Sequence, residues 1–339
     1  MTKSTPSNCA ATSVGLTPID DLGQGLYLGQ FRGGLYPDGM NQPPPAHLNP
    51  GRSAAASIRP RDTLGQLDPN GRTVLLSIGM SNTSQEFCGA GLNCTPWSFA
   101  GQASDSPAVN HRDLVIINGA AGGQAATVWD SPNEQNYNRV RDQVLAPQGL
   151  SEAQVQAVWI KQANFPSLVG ATLPDPNADA INLERTLGDI VRAVRVRYPN
   201  ARVVFLSSRI YAGYHSPSSP HFEPVAYEGA FAVKWLVEAQ IRQRATGVID
   251  PVAGDLSPSA APWIGWGPYL WADGLTPRGD GLTWACADFE NDGIHPAMSG
   301  EQKVGALLLE FFLSDPVAVR WFRADRGCAA DLTTSAVPS

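Results

Sequence analysis

From Thr73 onward the chain alternates short, nearly continuous apolar runs with longer amphipathic stretches of helical length. The runs "TVLLSIGM" (73–80), "DLVIINGA" (113–120), "VQAVWIK" (155–161) and "ARVVFLSS" (201–208) are rich in β-branched residues. That is the texture of strands buried on both faces of a parallel sheet. A fifth, weaker run is "TGVID" from Thr246. Between the runs the pattern predicts helices over about 133–146, 179–198 and 225–244, and a last one over about 300–313 that "SDP" closes. Ser299 followed by Gln302 reads as a capping box for that helix, which leaves His295 in the loop before it. Strands alternating with helices imply a three-layer α/β/α domain with a central parallel sheet and right-handed crossovers.

Residues 1–70 have a different texture. "GQGLYLGQFRGGLYPDG" reads as short strands broken by turns and "NQPPPAH" as an extended linker. We expect an N-terminal extension packed on a main domain of residues 71–325, followed by a C-terminal tail at 326–339. The 339 residues, 43% hydrophobic and 16% charged, suffice for one large core or two modest ones. The 33 Gly and 28 Pro gather between the periodic segments, so long structured loops are expected on a regular scaffold.

Charge narrows the partners. A net charge of −7 and the absence of any Lys/Arg run offer nothing to a phosphate backbone, so no nucleic-acid partner is expected. The most apolar run, "VGALLLEFFL" from Val304, is too short for a membrane span and is interrupted by Glu310. "MTKSTPSNCAATS" lacks the apolar core of a secretory signal, so either the protein is cytosolic or a signal has been removed. Cysteine usage favours a secreted or periplasmic protein. Cys88 and Cys94 bracket "CGAGLNC", Cys286 and Cys328 flank the segment with the late histidine, and Cys9 is left over, so two disulfides are expected with connectivity open. Metal binding is the rival reading, but there is no C-x-x-C pair and no His at ligand spacing. No cofactor is expected.

In an open parallel sheet ligands bind beyond the carboxyl ends of the strands. The residues expected there are Ser81, Gly123, Asn164 and the loop after Ser208. Ser81 follows the first strand where a hydroxyl can be exposed as a nucleophile, although "SNTSQE" is also rich in capping residues. Ser77 is expected to point into the sheet, and Ser84 is the better capping candidate. Gly123 ends "IINGAAGG" and could bring a backbone N–H to an oxyanion, or could simply make a turn. Asn164 could donate its carboxamide N–H to the same oxyanion, or act as a turn residue before "FP". In "NDGIHP", Asp292 and His295 offer a base and the carboxylate that orients it, although each singly is as readily a turn-former and a loop histidine.

Taken in order, Ser81, Gly123, Asn164 and a late Asp-x-x-His-Pro resemble the SGNH/GDSL hydrolase superfamily over about residues 73–313. The family's Gly-Asp-Ser block corresponds to Gly79-Met80-Ser81, its second-block glycine to Gly123, its third-block asparagine to Asn164 and its closing pair to Asp292 and His295. Met80 stands where the family usually has Asp, and Phe165 follows Asn164 where Asp is frequent. The resemblance implies a flavodoxin-like α/β/α fold and a metal-free serine esterase, lipase or carbohydrate deacetylase. Ser81 would be the nucleophile, His295 the base and Asp292 its support. The N–H groups of Ser81 and Gly123 and the Asn164 side chain would form the oxyanion hole.

Substrate selection is expected from aromatic residues. Trp263, Trp266, Trp271 and Trp284, four of the nine Trp, fall within 22 residues, and the loop from Ser208 carries Tyr211, Tyr214, His215 and His221. Tyr211, Tyr214, Trp266, Trp271 and Trp284 could stack on a sugar, or could pack long loops onto the domain. His215 and His221 are rival bases, the latter with Glu223 nearby, but only His295 has a carboxylate three residues away. The expectation is an esterase for short esters, acetyl first among them, with an acylated carbohydrate or small molecule as substrate. Its rivals are a lipase or phospholipase and a decayed carbohydrate-binding module.

Overall fold

The computed structural model describes residues 7–89, 93–164, 171–215 and 222–325. Four of the apolar runs form strands: β1 (Thr73–Gly79), β2 (Leu114–Asn118), β3 (Val155–Lys161) and β4 (Val203–Ser207). Every residue of β1, β3 and β4 is buried, because helices cover both faces of the sheet. The fifth strand is β5 (Trp263–Trp266), and it replaces the expected strand at "TGVID". Thr246 instead ends a helix, Gly247 turns the chain with φ +76°, and Val248 and Ile249 are exposed. All five strands are parallel, in the order β2-β1-β3-β4-β5. This is the flavodoxin-like order, whose switch point lies between β1 and β3.

The longer helices are α1 (Pro45–Ala56), α2 (Ser81–Phe87), α3 (Phe99–Asp105), α4 (Asp179–Arg197), α5 (Val225–Thr246) and α6 (Met298–Ser314). The pairs α4 with α5, and α2 and α3 with α6, pack together as outer layers. The helix expected at 133–146 begins as an α-turn at Gln135–Arg139, widens into a π-turn over Val140–Leu145 and tightens at Ala146–Gln148. Two expected caps are not made. Ser84 lies inside α2, where its Oγ accepts from Asn118 Nδ2, and Ser299 lies inside the first turn of α6, where its Oγ donates to Asp288. No described helix is long and apolar enough to cross a membrane.

The N-terminal residues cover the β5 edge. Pro45 opens α1, so the "PPPAH" stretch is a helix start rather than a linker, with proline at the position where its missing N–H is harmless. From α1, His47 reaches the Ile264 carbonyl at 2.8 Å and stacks on Trp263. The strands Leu26–Tyr27 and Phe31–Arg32 pair antiparallel, and Tyr27 stacks on Phe231 of α5. Cys88 bonds to Cys94, and Cys9 bonds to Cys286. Cys9 is therefore not left over: the N-terminal segment returns 277 residues of sequence to reach Cys286. Cys328 and the tail at 326–339 lie outside the described residues.

Candidate active site

Ser81 occupies the first position of α2, directly beyond β1. The tight entry depends on Gly79, where a Cβ would stand 2.2 Å from Thr83 Oγ1 and 2.5 Å from the Lys161 carbonyl. Thr83 donates to that carbonyl at 2.6 Å and docks the first turn of α2 on the end of β3. The first backbone N–H groups of a helix lack intrahelical acceptors, so the turn that carries Ser81 presents donors to a ligand.

The loop before α6 brings an imidazole to the hydroxyl. His295 Nε2 is 2.8 Å from Ser81 Oγ, and His295 Nδ1 is 2.6 Å from Asp292 Oδ2. The nitrogen that faces a carboxylate carries the proton, so Nε2 keeps its lone pair and accepts from the hydroxyl. Asp292 Oδ1 also accepts from the backbone N–H groups of Ile294 and His295, at 2.9 and 3.0 Å. Burial pushes the Asp292 carboxyl up, but the hydrogen bonds from the His295 ring and from these N–H groups prevail and hold it well below the usual carboxylate range. Asp292 thus stays ionised beside the imidazole. Gly293, at φ +67°, makes the turn between the two residues.

Ser81 and His295 open on a cavity of about 230 Å³ whose wall includes Met80, Gly123, Lys161, Gln162 and Arg209. Gly123 has φ +74° and open space where a Cβ would stand. Asn164 is buried, donates its Nδ2 to Asp179 Oδ1 at 3.1 Å and is not part of the cavity wall. Phe165, the next residue, and His221 lie outside the described residues. A larger groove of about 470 Å³ runs beside α3 and β2, past Ala100, His111 and Val115, and includes none of these groups.

The aromatic residues expected to bind substrate are in the core. Tyr211, Tyr214, Trp266, Trp271 and Trp284 are each at most 3% exposed, and none lines the cavity. Each polar tip is already engaged: Tyr211 with the Ala11 carbonyl, Tyr214 with Trp284, Trp266 with Leu35, Trp271 with Glu223 and Trp284 with Leu270. Rings whose faces are packed and whose donors are used cannot stack on a sugar. His215 Nδ1 contacts the carbonyl of Asp292 rather than Ser81, so it is not a rival base.

The cavity wall also holds a buried ion pair. Lys161, the last residue of β3, places Nζ 2.5 Å from both carboxylate oxygens of Glu86 on α2, and both side chains are buried. Burial pushes the Glu86 carboxyl up and the Lys161 amine down, and each charge opposes the other's shift. Neither residue is singled out by the sequence pattern, and the available signal is a lone charge ending the otherwise uncharged run 155–161.

No protein-family model matches the chain, and no curated protein matches it. Solved structures resemble it at low identity. A salicylyl-acyltransferase from a tetracycline biosynthetic pathway aligns at 14% identity over 74% of this chain and 58% of its own, with a TM-score of 0.39. An extracellular lipase from Streptomyces rimosus aligns at 14% over 70% and 98%, TM-score 0.34. An acetyl xylan esterase from Geobacillus stearothermophilus aligns at 14% over 73% and 95%, TM-score 0.35. Independently of these, the three-layer fold follows from the chain's own sheet order, and on it the order of Ser81, Gly123, Asn164, Asp292 and His295 resembles the SGNH/GDSL hydrolases.

Proposed function

We propose that this protein is a serine esterase of the SGNH type that hydrolyses short-chain acyl esters. The observation that carries the reading is the continuous hydrogen-bonded path from Ser81 Oγ through His295 to Asp292, at 2.8 and 2.6 Å, at the mouth of a cavity. Ser81 Oγ attacks the ester carbonyl while His295 Nε2 takes its proton, and Asp292 stabilises the imidazolium that forms. The N–H groups of Ser81 and Gly123 receive the oxyanion, while Asn164, which lies outside the cavity wall and donates to Asp179, is left out of that role. His295 returns the proton to the leaving alcohol, and a water that it then deprotonates releases the acid.

An acetyl or similarly short acyl group is the substrate we propose, on the family resemblance. An acetylated carbohydrate is the natural class we propose, on the family resemblance. The two disulfides fit an oxidising compartment, secreted or periplasmic.

The deciding experiment is hydrolysis of p-nitrophenyl esters of increasing acyl length by the wild type, Ser81→Ala and His295→Ala. We expect acetate to be turned over fastest and both variants to be inactive. Activity that survives in Ser81→Ala would overturn the nucleophile. A preference for long chains would replace the short-chain reading with a lipase.

A further inference from the structure

The loop that carries Asp292 and His295 has little regular structure of its own, yet it must hold an imidazole within hydrogen-bonding reach of a helix elsewhere in the fold. It is held from three sides. From α2, Asn82 Nδ2 donates to the Ile294 carbonyl at 2.7 Å. From the loop after β4, His215 Nδ1 meets the Asp292 carbonyl at 2.7 Å, and the backbone of Tyr214 and His215 lies so close to Gly293 that a Cβ there would stand 2.5 Å from the Tyr214 oxygen. From the N-terminus, Ser7 N–H donates to the Asn291 carbonyl at 2.8 Å, Asn8 N–H donates to the Tyr214 carbonyl at 2.6 Å, and Cys9 is bonded to Cys286.

We propose that His215 and the disulfide-anchored segment Ser7–Cys9 are positioning groups that hold the Asp292–His295 loop in register with Ser81. The segment bridges the two loops, with one N–H to each. It is fixed beyond Cys9 as well: Tyr211 donates to the Ala11 carbonyl, Leu275 N–H donates to the Thr12 carbonyl, and Asp273 accepts from Ser13, Val14 and Gly15. The imidazole nitrogen that faces a carbonyl must carry hydrogen, so His215 is an Nδ1–H donor to the main chain of Asp292. Burial pushes its ring toward the neutral form, in which one donor is available. Neither group touches the reacting atoms. Both act by removing freedom from the loop, and a displacement near 1 Å at a reacting group can cost about a hundredfold in rate.

This inference rests on Ser81, His295 and Asp292 acting together as proposed above. The test compares wild type, Cys9→Ser/Cys286→Ser, Cys88→Ser/Cys94→Ser, His215→Asn and His215→Leu by p-nitrophenyl acetate kinetics. Amide hydrogen exchange over residues 289–297 is followed in parallel. We expect Cys9→Ser/Cys286→Ser and His215→Leu to exchange faster in that segment and to lose at least about tenfold in kcat with KM nearly unchanged. Cys88→Ser/Cys94→Ser should keep wild-type kcat. Asparagine keeps an N–H donor near the Nδ1 position, so His215→Asn should recover most of the rate that His215→Leu loses. Faster exchange with unchanged kcat would make the segment a merely structural strap, and unchanged exchange would overturn the proposal outright. Esterase activity independent of Ser81, or none in the wild type, would defeat the catalytic reading instead, and exchange would then decide alone whether the loop is held as proposed.

Discussion

His295 Nε2 stands 2.8 Å from the Ser81 hydroxyl although 214 residues separate them. The half-buried hydroxyl stands at the start of α2 and the imidazole is carried by the loop before α6, two helices that pack together. In the proposed reaction His295 must keep a lone pair on Nε2, and Asp292 favours that tautomer by accepting the Nδ1 proton.

Asp292→Asn should therefore keep the fold and lose the reaction. An amide can present its N–H to Nδ1, which stabilises the tautomer that leaves no lone pair for Ser81. The expected outcome is a fall in kcat of roughly 10³–10⁴ with KM and Tm little changed, measured by steady-state kinetics and thermal unfolding.

Gly293→Ala tests the geometry from the other side. The position has φ +67°, and the added Cβ would meet the Tyr214 carbonyl oxygen at 2.5 Å, so the loop must move. We expect kcat to drop by about a hundredfold, against a loss of about 1–3 kcal/mol in stability by urea unfolding. Wild-type kcat in this variant would show that the turn tolerates displacement.

The buried Glu86–Lys161 pair should behave asymmetrically. Lys161→Met leaves a carboxylate buried without its partner and should cost about 3–5 kcal/mol in urea unfolding. Glu86→Gln/Lys161→Met removes both charges and should regain most of that loss. Equal destabilisation by the single and double variants would mean that packing, not charge, decides the site.

His47 should give the protein an acid-sensitive component of stability. Burial pushes its imidazole down to about 4 from an ordinary 6.5. Between those values the unfolded chain binds the proton and the folded chain does not, so stability falls as pH drops from 6.5 to 4, by roughly 3 kcal/mol in all. His47→Gln can keep a donor toward the Ile264 carbonyl without titrating. Its denaturation midpoint should therefore depend less on pH over that window than the wild type's.

Much of this architecture was legible in the linear pattern. A strand buried on both faces is mostly apolar, which is why β1, β3 and β4 stand out as runs, and β2, at the sheet edge and only partly buried, is apolar up to Asn118. "NDGIHP" was legible because one short loop supplies both groups, so their relation is local. β5 was missed because four residues with a glycine and two tryptophans resemble a loop. Its identity comes from parallel pairing with Val203–Leu206, a contact of long sequence range.

The sequence by itself thus determined the layers, most of the strands, the long helices and the chemistry available at the strand ends, since these follow from local periodicity and residue type. Only the tertiary structure decided what each exposed-looking group faces. The clustered tryptophans became core because the N-terminal segment and α1 fold back over β5 and the loops beyond it. Cys9 found Cys286, and Lys161 found Glu86, through the same long-range packing. A residue's solvent exposure and its partner are properties of distant chain segments brought together, and local pattern carries no record of them.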